Sequence, residues 1–79
     1  MDDAREIPPP SDPNDLYVLA GMYFQGITVP VDKEKAVALY TMSADKGNVD
    51  AMERLGIIYM TGDGAERDRS RSFGLFKKA

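Results

Sequence analysis

The sequence predicts an all-α fold, an α-solenoid of two stacked helix-turn-helix repeats preceded by an extended Pro-rich arm. Apolar residues recur at helical spacing, and Val, Ile and Thr never alternate with polar residues long enough to indicate strands. Short Gly-containing segments interrupt the helical stretches. The chain also matches itself after a shift of 36 residues, as repeat proteins do.

Residues 1–11 are predicted to form the arm, because they contain a run of three prolines and cannot be helical. We expect this arm to be disordered or bound to a partner. Residues 1–15 carry five acids and one base, whereas residues 16–79 carry eight acids and nine bases. Residues 1–15 therefore carry a charge of -4 and residues 16–79 a charge of +1, so the acidity lies at the N-terminal end and the repeat region is nearly neutral.

Residues 12–47 form the first predicted repeat. Its first helix covers about residues 13–25 and has Pro at the first helical position, where a missing N–H costs nothing. A Gly- and Pro-containing loop, 26–31, ends that helix. Asp32 then caps a second helix, which ends just before Gly47, a residue suited to the left-handed turn at helix ends.

Residues 48–79 repeat this plan. Asn48 corresponds to Asp12 of the first repeat, and both are predicted N-caps. A helix over about residues 49–61 is followed by a Gly-containing loop, and Asp68 caps the last helix. The identical pairs in the 36-residue register are Leu19 and Leu55, Tyr23 and Tyr59, Gly26 and Gly62, Asp32 and Asp68, and Leu39 and Leu75.

On these residues the chain resembles the Sel-one-like repeats, relatives of the tetratricopeptide repeats. The matches to the first copy of the pattern are Leu19, Tyr23, Gly26, Val29, Asp32, Lys35, Ala36, Tyr40, Ala44, Gly47 and Ala51. Those in the second are Ala51, Leu55, Gly56, Tyr59, Gly62, Gly64, Asp68 and Ala79, with Arg71 in place of Lys. Departures are Ala20 and Thr28 for glycines, Leu39 and Leu75 for tryptophan, and Ser43 for alanine. The resemblance implies protein–protein interaction, and the second repeat is incomplete against the family pattern.

The composition argues against an enzyme. The chain has no cysteine and no histidine, so thiolate nucleophiles, Cys-based metal sites and the usual general base are excluded. Asp63, Glu66 and Asp68 do not have the spacing of a calcium loop. Acids interrupt the basic stretch that begins at Arg67, which argues against nucleic-acid binding. We therefore expect no catalytic residue, cofactor or metal.

Large side chains that fall outside the core stripes of the first helices are candidates for a concave binding face. The predicted stripes contain Leu16, Leu19 and Tyr23 in one repeat and Ala51, Met52, Leu55 and Tyr59 in the other. The predicted partner-binding residues are Tyr17, Gly21, Phe24, Glu53, Ile57 and Met60. The alternative for Ile57 and Met60 is packing on the preceding helix. No preceding repeat exists for Tyr17 and Phe24, so we expect the arm or a partner to cover them.

A second candidate surface is the C-terminal edge, where Phe73, Leu75 and Phe76 lie on the last helix. Solenoids need a polar cap at a terminal repeat, and this helix lacks one. We predict self-association or partner binding through these three residues. The alternatives are that the chain is a fragment of a longer repeat array, or that an uncapped edge frays.

These observations favour an adaptor or scaffold that binds a protein through the concave face or the open edge. The alternative is a small inhibitor or immunity-type protein that blocks a single enzyme or effector. An integral subunit of a larger assembly is a third possibility. The N-terminus lacks the features of a secretory signal and no apolar run is long enough to span a membrane, so we expect a cytoplasmic protein with no membrane partner.

Overall fold

The computed structural model describes residues 10–79 and shows four consecutive α-helices. They are α1 (Pro13–Gln25), α2 (Lys33–Asp45), α3 (Val49–Thr61) and α4 (Arg69–Lys78). The predicted all-α solenoid of two helical hairpins is confirmed for this part of the chain. Residues 1–9 of the predicted arm lie outside the described residues. None of the four helices has the length and apolar character needed to span a membrane.

Each helix begins at the cap that the sequence predicts. The side chains of Asp12, Asp32, Asn48 and Asp68 accept hydrogen bonds from backbone N–H groups in the first turn of their helices, at 2.7 to 3.0 Å. These bonds satisfy donors that have no partner within the helix. At the other end of α2, Gly47 has the expected left-handed backbone, with φ of 97°.

The two hairpin loops have the same construction. The N–H of Asp32 donates to the carbonyl of Tyr23 at 2.9 Å, and the N–H of Asp68 donates to the carbonyl of Tyr59 at 2.8 Å. A basic side chain stacks over the same tyrosine in each loop. Lys35 Nζ lies 4.9 Å from the Tyr23 ring centroid, and the Arg71 guanidinium carbon lies 5.1 Å from that of Tyr59. The 36-residue register therefore extends to the side chains.

The helices pack in chain order, α1 on α2, α2 on α3 and α3 on α4. The buried apolar core consists of Leu16, Ala20, Ala36, Leu39, Tyr40, Ala44, Ala51, Leu55 and Ile58. The predicted stripes are right for Leu16, Ala51 and Leu55 and only partly right for Leu19, Tyr23, Met52 and Tyr59, which are half-buried. Ile58 lies outside the predicted stripe but is buried in the core.

Small residues stand where the helices of each hairpin come closest. Ala20 on α1 and Ala36 on α2 are both fully buried. In the second hairpin Gly56 and Ser72 take their places, and the Ser72 hydroxyl donates to the Gly56 carbonyl at 2.7 Å. Larger side chains at these positions would hold the helix axes apart.

The start of α1 is tied to the end of α2 and to the start of α3 by side-chain hydrogen bonds. The Ser43 hydroxyl donates to the carbonyl of Pro13 at 2.7 Å. The Asn48 amide donates to the side-chain oxygen of Asn14 at 3.1 Å and to the carbonyl of Pro13 at 3.4 Å. These bonds help to set α1 and α3 side by side, which creates the groove between them.

Candidate protein-binding groove

A groove of about 280 Å³ lies between α1 and α3, with α2 beneath it. Its walls combine aromatic, aliphatic and polar side chains. The lining residues are Phe24 and Gln25 of α1, Tyr40 of α2, Arg54, Ile57, Ile58 and Thr61 of α3, and Asp63 of the following loop.

The aromatic side of the groove is held by contacts within the protein. Tyr17 and Tyr40 meet edge to face, with ring centroids 5.7 Å apart. The Phe24 ring is half-buried and lies under Lys33 Nζ, which is 4.9 Å from its centroid. A Cβ at Gly64 would lie 3.2 Å from the Phe24 ring, so the second hairpin loop covers this ring closely. Such prepositioned rings reduce the conformational entropy that the protein itself loses on binding a partner.

These contacts narrow one expectation from the sequence. Tyr17 and Phe24 were expected to be covered by the arm or a partner. The loop after α3 and α2 cover part of the two rings, so the expectation stays a prediction for the part that remains accessible. Only the outer part of each side chain stays accessible.

Tyr40 forms the floor of the groove and is only 4% exposed. Burial raises the pKa of its hydroxyl above the ordinary value, a shift that the positive charge of Arg54 opposes. A Cβ at Gly21 would lie 3.5 Å from this hydroxyl. That is an ordinary van der Waals distance, so Gly21 lies beside the floor of the groove without being required there, and the floor stays uncharged at neutral pH.

Arg54 supplies a positive charge to the groove. Its Nε donates to the Tyr17 hydroxyl at 3.4 Å. This hydrogen bond, and then the interaction with the phenol charge, raise the pKa of the guanidinium. The side chain is exposed, and among residues 10–79 no carboxylate oxygen lies within ion-pair distance of it.

At the other end of the groove, Lys33 Nζ and the Asp63 carboxylate form an ion pair at 2.6 Å. Both side chains are partly exposed, so the pair contributes little to stability. It does neutralise the one carboxylate in the lining and links the first hairpin to the second loop.

The six predicted partner-binding residues do not all lie on one surface of the structure. Phe24 and Ile57 line the groove, Tyr17 supports it through Tyr40 and Arg54, and Gly21 lies beside the Tyr40 hydroxyl. Glu53 is exposed on α3 and does not line the groove. Met60 lines a different apolar hollow, on the far side of the second hairpin.

That hollow includes part of the predicted edge. It is lined by Met60, Arg67, Arg69, Ser72, Phe73 and Phe76. Phe73 is 69% exposed, and Phe76 is 38% exposed while its ring packs on Gly56. Leu75 points elsewhere, because it is half-buried against the core and lines a cleft between α2 and the second hairpin. Phe73 and Phe76 thus share a surface from which Leu75 is absent.

Four lining residues, Tyr40, Arg54, Thr61 and Asp63, are not among the partner-binding residues predicted from the sequence. For α3 a signal was present, because residues 54, 57, 58 and 61 follow helical spacing and lie on one face. For Tyr40 and Asp63 the signal was missing, since their place in the groove depends on how the two hairpins stack. Within residues 10–79, no three Asp or Glu side chains gather closely enough to hold a metal ion.

The comparisons with known proteins agree with this architecture. The family model described as Sel1 repeat matches residues 13–48 and 49–79. The crystal structure of a Sel1 repeat protein from Oxalobacter formigenes has a TM-score of 0.83 at 29% identity, covering 86% of this chain and 28% of that chain. The structure of c5321, a protective antigen present in uropathogenic Escherichia coli strains, displays an SLR fold. It has a TM-score of 0.80 at 35% identity, and the match covers 84% of this chain and 14% of that chain.

This chain spans 28% and 14% of the lengths of those two proteins. No curated protein sequence matches it. The family model covers both hairpins, in the register that the internal repeat gives. The chain belongs to the Sel1 repeat family, the Sel-one-like repeats that its sequence resembles.

Proposed function

We propose that this chain is a non-enzymatic adaptor or scaffold module that binds a segment of a partner protein in the groove between α1 and α3. Sel1 repeat proteins generally mediate protein–protein interaction. The observation that carries the proposal is the groove itself, in which prepositioned aromatic rings, an exposed Ile57 and the cation of Arg54 face the same opening. Aromatic and arginine side chains dominate the binding energy of most protein interfaces.

A bridging role is favoured over a purely blocking one by the second apolar surface. The hollow around Met60 and Phe73 is lined by none of the groove residues, so the two surfaces can be occupied together. An adaptor requires two such sites, whereas an inhibitor of the immunity type requires one. The stoichiometry of the purified complex distinguishes these functions.

Three residues of α3 allow a matched test, because Val49, Ile57 and Met60 are each 48% exposed on the same helix. Ile57 lines the groove, Met60 lines the hollow, and Val49 lines neither. We expect Ile57→Ser to remove partners that the wild type captures from the source lysate, with Val49→Ser retaining all of them. The measurement is quantitative mass spectrometry of the captured proteins, with circular dichroism to verify helicity.

The same set of variants locates the surface if the groove is not used. Loss of partners only in Met60→Ser would move the binding site to the hollow. Identical capture by all three variants and the wild type would contradict the proposed function. An enzyme whose activity is abolished by the wild-type chain, in a one-to-one complex, would support the inhibitor function instead.

A further inference from the structure

We infer that the segment bound in the groove is an extended peptide with a carboxylate side chain two residues from a medium-sized apolar side chain. The carboxylate pairs with Arg54, and the apolar side chain enters the space between Phe24, Tyr40 and Ile57. This inference rests on the proposed function and specifies the chemistry of its partner.

The hydrogen-bonding capacity of Arg54 favours a carboxylate as its partner. A guanidinium has five donors in a planar fork, and its Nε–H is engaged by the Tyr17 hydroxyl. That bond orients the plane and leaves the two terminal amino groups without a protein acceptor among residues 10–79. A carboxylate is the acceptor whose geometry matches such a fork, through two parallel hydrogen bonds.

The charges that line the groove also favour an acidic occupant. Arg54 and Asp63 are the two charged residues that line the groove. Asp63 is paired with Lys33, so its charge is balanced. Asp50, one turn before Arg54 on α3, adds a negative charge near the guanidinium but does not line the groove. Within residues 10–79, the groove therefore offers its occupant one positive charge that has no ion-pair partner.

The spacing between Arg54 and the apolar pocket matches that of side chains in an extended peptide. The rise along α3 from Arg54 to Ile57 and Ile58 is about 5 Å, from a rise of about 1.5 Å per residue. In an extended chain, side chains two residues apart lie on the same side and are separated by about 6.6 Å. An acid and an apolar residue at that spacing can therefore contact Arg54 and the apolar pocket together. The Gln25 amide at the rim can pair with the peptide backbone.

The pocket volume agrees with a peptide side chain. Sites for drug-sized molecules are about 300–1,000 Å³ and largely enclose their ligand. This groove has about 280 Å³ and is open along one side. It fits one or two side chains of a continuing chain better than an isolated small molecule.

The test uses a phage-displayed library of random 12-residue peptides selected against the full chain. We expect the wild type to enrich Asp or Glu two residues from Leu, Ile, Met or Phe. Arg54→Gln should keep the apolar preference and lose the acidic one. Lys46→Gln, a matched loss of a positive charge at an exposed residue outside both the groove and the hollow, should select as the wild type does.

Fluorescence anisotropy with the synthetic consensus peptide then measures the pairing directly. Replacing the acid of the peptide by its amide should weaken binding to the wild type by about tenfold, as expected for a charge-assisted hydrogen bond. The same replacement should change binding to Arg54→Gln by less than about twofold, because the partner charge is already gone.

Each contrary result has its own meaning. Enriched peptides that need Ile57 but show no acidic preference would overturn the inference and leave the proposed groove function standing. Enriched peptides that bind Ile57→Ser as well as the wild type would overturn both. A selection that enriches no peptide would overturn the inference, because a short linear segment would not be the occupant, and the capture experiment would still decide the proposed function.

Discussion

Gly56 and Gly74 both lie inside helices of the second hairpin, but their surroundings differ. A Cβ at Gly56 would lie 2.8 to 3.0 Å from three atoms of the Phe76 ring, closer than Cβ atoms normally approach other heavy atoms. A Cβ at Gly74 would meet nothing within 4 Å. The first glycine permits close packing of α3 and α4, whereas the second only weakens its helix.

This contrast predicts opposite effects of the same substitution. Gly56→Ala should lower the free energy of unfolding by about 1–3 kcal/mol, because Phe76 must move out of its packed position. Gly74→Ala should raise it by about 0.5–1 kcal/mol through helix propensity alone. Urea denaturation followed by circular dichroism measures both. Equal effects of the two substitutions would contradict the packing role of Gly56.

The sequence predicted residue roles well where they depend on local backbone chemistry. The N-caps at Asp12, Asp32, Asn48 and Asp68 could be recognised because each precedes a helical pattern and has a short side chain that accepts a hydrogen bond. The contact of Phe76 with Gly56 could not be predicted in this way. It depends on the distance between two helices, which no pattern within a single helix contains.

Asn48 joins two elements that are distant in the chain. Its side-chain oxygen caps α3 by accepting from the N–H of Ala51 at 2.9 Å, and its amide group donates to Asn14 and Pro13 at the start of α1. The same residue thus begins one helix and fixes the position of another. Asp32, by contrast, caps α2 alone.

Two substitutions of Asn48 separate these roles. Asn48→Asp keeps the cap and removes both donors to α1, so we expect the free energy of unfolding to fall by about 1 kcal/mol. Asn48→Ala removes both functions and should cost about 2 kcal/mol. Asp32→Ala, the control for a simple cap, should cost about 1 kcal/mol. A stability of Asn48→Asp equal to that of the wild type would show that the bonds to α1 contribute nothing.

The candidate site also depends on helix packing, which the pattern within a single helix does not predict. A helical wheel identified Phe24 and Ile57 as large side chains away from the core stripe, and both line the groove. The wheel grouped Met60 with them, although the structure places Met60 in the hollow beside Phe73. Side chains three positions apart share a general direction but diverge by about 60°. The stacking of the hairpins determines which of them meet.

Two repeats bury little apolar surface, and solenoids generally need about three to be stable. The second hairpin exposes Phe73 and part of Phe76 next to Met60. The surface that a following repeat would cover is thus apolar and accessible. The predicted self-association edge is best tested at Phe73, because Phe76 also packs on Gly56 and Leu75 contacts the core.

We expect the purified chain to exceed its monomer mass of 8.7 kDa at high concentration. Phe73→Asp should return it to the monomer at every concentration, because a charge at the centre of an apolar contact loses its hydration without gaining a partner. Sedimentation equilibrium measures the mass, with Val49→Asp as the control on an exposed residue outside the hollow. The helicity of Phe73→Asp should match the wild type, because this side chain is 69% exposed. If wild type and Phe73→Asp have the same mass throughout, the hollow is not a contact between copies and is free for a second partner.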